Sequence, residues 1–160
     1  MSAMLSEIWR HPIKSCGRET LTRVLLTENR TLPWDRRWAI SLEASTYDAD
    51  HPDWVACANF ARAAKAPAMQ AITARCNLAH GTVTLSHPKL QDITIDPDDR
   101  SGRMDLIQWI MPISPGNRAL PAQVVRNGLR GMTDTDFPSI SLVNLASHGE
   151  VEGQLGRSIS

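Results

Sequence analysis

Apolar positions along the chain fall mostly into short alternating stretches. Residues 4–10 read as a first strand, with Leu5 and Trp9 on one face and Met4 and Ile8 on the other. Residues 19–27, ETLTRVLLT, supply a second strand of β-branched and aliphatic residues. Further on, Trp38, Ile40 and Leu42 alternate with Arg37, Ala39 and Ser41, the pattern of a half-buried strand. Residues 69–76, 82–86 and 92–96 give three more strands, with turns at His80-Gly81 and Pro88-Lys89. Between them, DWVACANFARAAK at 53–65 predicts one short helix, capped by Asp53 and ended by Pro67. Residues 97–102 read as a surface turn. Six short strands at regular spacing with one short helix predict a mainly-β fold, a barrel or sandwich, over residues 1–104.

The pattern changes at Asp105. DLIQWIMPI at 105–113 predicts a strongly apolar strand, and AQVVRNG at 122–128 another. RGMTDTDF at 130–137 reads as a polar turn region, and residues 139–145 as a strand or a helix start. Asn144 or Ser147 can cap a final helix that carries Val151 and Leu155 on one face and stops at Gly156. No closing strand follows, so residues 105–160 read as the start of a second β-rich unit that is incomplete here.

Composition narrows the partners. Seventeen basic residues balance seventeen acidic ones, so no global field points to nucleic acid or to an anionic membrane surface. No apolar run is long enough to cross a bilayer, and the start lacks the basic-then-apolar pattern of a signal peptide. Cys16, Cys57 and Cys76 cannot all pair and form no CxxC or Cys/His cluster, which fits a reducing cytoplasm and no zinc site. Cys57, on the expected helix, reads as a small buried apolar residue.

Candidate chemistry concentrates in WRHPIKSCGR at 9–18. Pro12 fixes its own φ and biases His11 toward an extended shape, while Gly17 permits a turn that other residues resist. Lys14 offers a compact charge with three donors, Ser15 a hydroxyl, and the loop amides can converge. Such a loop suits an anion, although an ordinary polar connection has the same composition. Arg36 precedes a strand, and its planar guanidinium can clamp a phosphate or carboxylate at two points. Asp35 can orient a neighbouring Arg or the Lys14 ammonium, or simply form a strand-edge ion pair. No nucleophile elbow or other motif supports a Cys16–His11–Asp35 hydrolase, so no catalytic residue and no metal ligand is assigned.

Three pieces in order, PIKSCGR at 12–18, DRRWAIS at 35–41 and TDTDFPSISLVNLAS at 133–147, resemble the N-terminal portion of the MOSC-domain family, the molybdenum-cofactor sulfurase C-terminal proteins. Relatives pair a KSC loop with a DRxW segment; His11 stands here in place of the usual aromatic, and Pro33 and Trp34 also depart from the pattern. The resemblance implies a β-barrel followed by the start of the MOSC domain. It implies that Lys14, Ser15 and Arg36 hold the phosphate and pterin end of the molybdenum cofactor (molybdopterin), with Ser147 near it. The cofactor would then be positioned for reduction of, or sulfur transfer to, a small-molecule substrate, served by a redox partner protein. The family's metal-ligating cysteine and its Arg-Phe-Arg-x-Asn segment lie further downstream, and residues 156–159 resemble the stretch just before that segment. Cys16 is not the family's metal ligand. The alternative is a non-catalytic β-rich module that binds a phosphorylated small molecule or a protein partner.

Overall fold

The computed structural model describes residues 4–128 and 130–156; residues 157–159 of the last family-like stretch lie outside them. The fold is mainly β, and its sheets are antiparallel. Strand β3 (Trp38–Leu42) pairs with β7 (Pro121–Arg126), placing Ile40 opposite Val124, with a bulge at Ser41/Leu42. A meander of β4 (Thr73–Asn77), β5 (Thr82–His87) and β6 (Leu90–Ile95) forms a second sheet. A short hairpin of β1 (Ile8–Arg10) and β2 (Glu19–Leu21) forms the third. Single-residue parallel bridges, Ile13 with Trp38 and Arg18 with Thr73, join the hairpin's connecting loop to β3 and β4. Helix α1 (Arg100–Ile110) packs against β6 and β7.

The core follows from these pairings. Trp38 and Ile40 point into one cluster with Ile13, Leu85, Leu106 and Val124. Ala39 points the other way, into a second cluster with Tyr47, Phe60, Val125 and Met132. Strand β3 is therefore covered on both faces, and the half-buried alternation expected there does not hold: Ala39 and Ser41 are fully buried. The Ser41 hydroxyl is satisfied by donating to the Gln123 carbonyl at 3.2 Å.

Two expected elements change type. Residues 105–113 do not form a strand but belong to α1 and the 3₁₀ turn Met111–Ile113. The Asp99 carboxylate caps this helix, accepting from the amides of Ser101 and Gly102, so the expected surface turn is in part a helix start. Gly102, Leu106 and Ile110, spaced four apart, are its buried positions. Conversely, residues 53–65 form no α-helix, only the 3₁₀ turns Cys57–Asn59 and Ala63–Lys65, followed by Pro67–Ala71. Phe60 bridges Ser41, and the Ala61 amide donates to Ile40 O at 2.8 Å, so the edge of β3 pulls this segment out of helical geometry. Among the described residues the Asp53 carboxylate accepts from the adjacent Trp54 amide alone and caps no helix.

The first two strands are shorter than expected, and Leu25 and Leu26 beyond β2 are exposed. At the other end, α2 (Leu145–Leu155) has Asn144 as its cap and Gly156 in the left-handed region at φ 62°, both as expected. Val151 and Leu155 on α2 are exposed. Helix α1 runs through residue 104, and β7 places Val124 in the same core as β3, so the packed unit continues to residue 126. Among the described residues no helix is long and apolar enough to cross a membrane.

Candidate functional site

Three segments converge beside β3. The first is the loop between β1 and β2. The Lys14 amide donates to Trp38 O at 2.7 Å and the Trp38 amide to Pro12 O at 3.3 Å, which seats the loop on the start of β3. The Cys16 amide then donates back to Ile13 O at 2.9 Å, closing a tight turn with Ser15 at φ 57°. Gly17 follows at φ 84°, and a Cβ there would lie 3.0 Å from both Ala74 and Leu85 side-chain carbons. The permissive exit expected of Gly17 is thus required both by dihedral and by space.

The second segment is the turn ahead of β3. Trp34 and Arg36 both adopt positive φ, 66° and 47°, an uncommon conformation for side-chain-bearing residues. His11 holds the turn through its backbone: its carbonyl accepts from the Arg36 amide at 2.6 Å, and its amide donates to Asp35 Oδ1 at 2.9 Å. The other carboxylate oxygen, Asp35 Oδ2, accepts from Arg36 Nε at 2.8 Å. Asp35 therefore orients the neighbouring Arg, and the ammonium of Lys14 finds a different carboxylate.

That carboxylate comes from the third segment, residues 131–139. Lys14 Nζ, on a side chain only 4% exposed, donates to Met132 O at 2.9 Å and to Asp134 Oδ1 at 2.5 Å. Arg36 Nη2 donates to Ser139 O at 2.6 Å, and Arg36 O accepts from the Met132 amide at 2.6 Å. Thr133 and Thr135 hydroxyls donate to Phe137 O and shape the strap. Gly131 lets it approach, since a Cβ there would sit 2.8 Å from Thr31 Cγ2 and 3.2 Å from Asp35 O. Cys57 Sγ also donates to Asp134 Oδ1, at 2.9 Å.

Lys14 and Arg36 are thus brought to one strap. The Ser15 hydroxyl, half-buried beside them, has no partner among the described residues. Ser147 is exposed on α2, where its amide donates to Asn144 Oδ1 at 3.1 Å, and no hydrogen bond joins it to the other three. Asp134 and Cys57 escape a reading of the sequence: the TDTD run looks like any polar turn, and Cys57 like core filling. The only available signal was the position of two acids within a stretch that also carries the third family-like piece.

Electrostatics fit this geometry. The Cys57 thiol and the Lys14 ammonium hold the Asp134 carboxyl below the usual carboxylate range. Partial burial and the hydrogen bond to Asp134 push the Cys57 thiol up. Burial alone pushes Cys16 up to about 12, so it is a packed, inert thiol. Partial desolvation also lowers His11, although the residue is exposed, against the pull of Asp35 and with the help of Arg36 and Arg18. Among the described residues no cluster of His, Cys, Asp and Glu could hold a metal ion.

Fold and site together define a small antiparallel β domain with two cations gathered at the mouth of its first loop. The chain belongs to the MOSC N-terminal beta barrel domain family, whose model matches residues 2–110. No curated protein and no solved structure matches it.

Proposed function

We propose that this chain is the phosphate-gripping end of a molybdenum-cofactor protein of the MOSC type. Lys14, Ser15 and Arg36 would hold the cofactor's phosphate, and Ser147 is the residue by which the following unit would add to the pocket. One observation carries this reading: the Lys14 ammonium and the Arg36 guanidinium converge on a single strap. The donor set fits a phosphate, combining a point charge, a planar fork and a free hydroxyl on two adjacent turns. Bound, the cofactor supplies redox-active metal chemistry suited to reducing a small substrate or transferring sulfur to it. The chain's own residues fix the anionic tail and so orient the rest. A redox partner protein would deliver electrons, and a reducing cytoplasm suits the three free cysteines. On this reading the cradle-bearing unit runs through β7, and the second unit starts beyond it rather than at 104.

A second reading shares the same groups. None of the three cysteines presents a ready thiolate: Cys16 is fully buried, and Cys57 and Cys76 are pushed up by burial and by hydrogen bonds to carboxylates. That favours, for these residues alone, a non-catalytic module that binds a phosphorylated small molecule or a protein partner. The test is to load the protein with molybdenum cofactor and compare it with Lys14→Ala and Arg36→Ala. Loss of retention in both supports the first reading, and unchanged retention in both overturns the assignment. Phosphate binding without cofactor retention in the unaltered chain selects the second.

A further inference from the structure

We propose that Asp134 is a built-in competitor at the cradle: the chain's own carboxylate occupies the Lys14 ammonium, and an incoming phosphate must displace it. The inference rests on the cradle reading above and deepens it.

Lys14 is buried and has three donors, two of which are taken by the strap, through Met132 O and Asp134 Oδ1. These two acceptors differ in kind. The Met132 carbonyl is pinned, because its own amide is committed to Arg36 O. The Asp134 side chain is 71% exposed, so one side of the carboxylate faces water while the other meets the ammonium. The hydrogen bonds that shape the strap run from the hydroxyls of Thr133 and Thr135 to backbone carbonyls and do not use this carboxylate. It can therefore swing into solvent without unwinding the strap. The Cys57 thiol, donating to the same oxygen, acts as a weak latch.

The arrangement also sorts ligands by charge. A carboxylate ligand exchanges one monoanion for another at Lys14 and gains little. A phosphate monoester brings a dianion with several acceptor oxygens and can engage Lys14, Arg36 and Ser15 together. The competitor thus favours phosphate esters over simple carboxylates.

The test is titration of the full 160-residue chain with inorganic phosphate, and separately with acetate, followed by backbone amide shifts. Asp134→Asn keeps the shape and removes the charge. It is expected to tighten phosphate binding about tenfold at residues 13–17 and 36, since a charge-assisted contact no longer competes. Cys57→Ala is expected to move affinity in the same direction by about twofold, as the loss of a weak donor does. Asp136→Asn removes an exposed charge two residues away and should change little. Equal phosphate affinity in the unaltered chain and Asp134→Asn overturns the competitor while leaving the cradle intact. An equal gain from Asp136→Asn also overturns it, as a general field effect. No response at residues 13–17 and 36 in any variant overturns the cradle and the competitor with it.

Discussion

Lys14 and Arg36 hold the two backbone polar groups of one residue: the Met132 amide donates to Arg36 O at 2.6 Å, and Met132 O accepts from Lys14 Nζ at 2.9 Å. The Lys14 ammonium and the Arg36 backbone therefore tie the first loop and the turn ahead of β3 to the strap, and the Arg36 guanidinium adds a further tie at Ser139 O. Replacing Lys14 by Met keeps the apolar stem but leaves a buried carbonyl unpaired. Stability should fall by about 1–3 kcal/mol, read from the urea midpoint. An unchanged midpoint would mean that the strap is held elsewhere.

A second buried pair braces the hairpin. Arg10 Nε meets Glu19 Oε1 at 2.8 Å, Arg10 Nη1 donates to Pro33 O at 2.9 Å, and the Cys76 amide donates to Glu19 Oε2 at 3.1 Å. Arg10→Met strands the Glu19 carboxylate and is expected to cost about 3–5 kcal/mol. The double variant Arg10→Met, Glu19→Gln should recover part of that loss in the same denaturation experiment, because no unpaired charge remains.

Acid should weaken the fold in two stages. His11, mainly through partial desolvation of an otherwise exposed residue, titrates below 6.5 in the folded chain, so the unfolded chain binds the extra proton first as pH drops through that value. Stability present above that window is lost as pH falls through it. The larger loss comes lower. Burial opposes ionisation of Glu19 and Asp98, yet the Arg10 and Cys76 donors outweigh it at Glu19, and Trp38, Arg37 and Arg126 outweigh it at Asp98. With Asp134 also depressed, these carboxylates stabilise the fold above their unfolded values of 4.5 and 3.8 and cease to do so as pH falls through their lower folded values. Thermal midpoints measured from pH 8 to pH 3 should decline slightly below neutrality and steeply below about 4. A midpoint that rises on acidification would contradict both assignments.

Thiol reactivity offers a simple check on the loop. Cys16 is fully buried with its thiol pushed up to about 12, so it should resist alkylation at pH 8 until the chain unfolds. Mass mapping after brief iodoacetamide treatment should find Cys16 unmodified in the folded protein and modified in urea. Fast native labelling of Cys16 would place the loop away from the core.

Gly102 is a packing requirement. A Cβ at this position would lie 2.2 Å from Asp96 O, so Gly102→Ala forces α1 off the end of β6. A loss of about 3 kcal/mol or more is expected from such overpacking, despite the better helix propensity of Ala. Asp99→Ala, which only removes the cap, should cost about 1 kcal/mol.

Much of the sheet was legible because period-two patterning survives where one face is solvated. Strand β5, with Val83, Leu85 and His87 buried in alternation, is such a case. Residues 105–113 defeated that logic, since DLIQWIMPI read alone is too short to show the four-residue spacing that begins at Gly102, and the cap at Asp99 lay inside a plausible turn. Residues 53–65 failed for the opposite reason, because pairing of Phe60 and Ala61 with β3 overrides a modest local helix preference. In the site, Lys14 and Arg36 were visible as charged residues beside turn-forming ones. Asp134 was not, because its role depends on a contact 120 residues away in the chain.

The single-pair bridges at either end of the first loop have a mechanical consequence. Ile13 with Trp38 and Arg18 with Thr73 stitch the loop across the seam between two separate sheets. The loop that carries Lys14 is consequently anchored to both sheets, and a side chain that wedges them apart along the join would strain that loop without touching either cation.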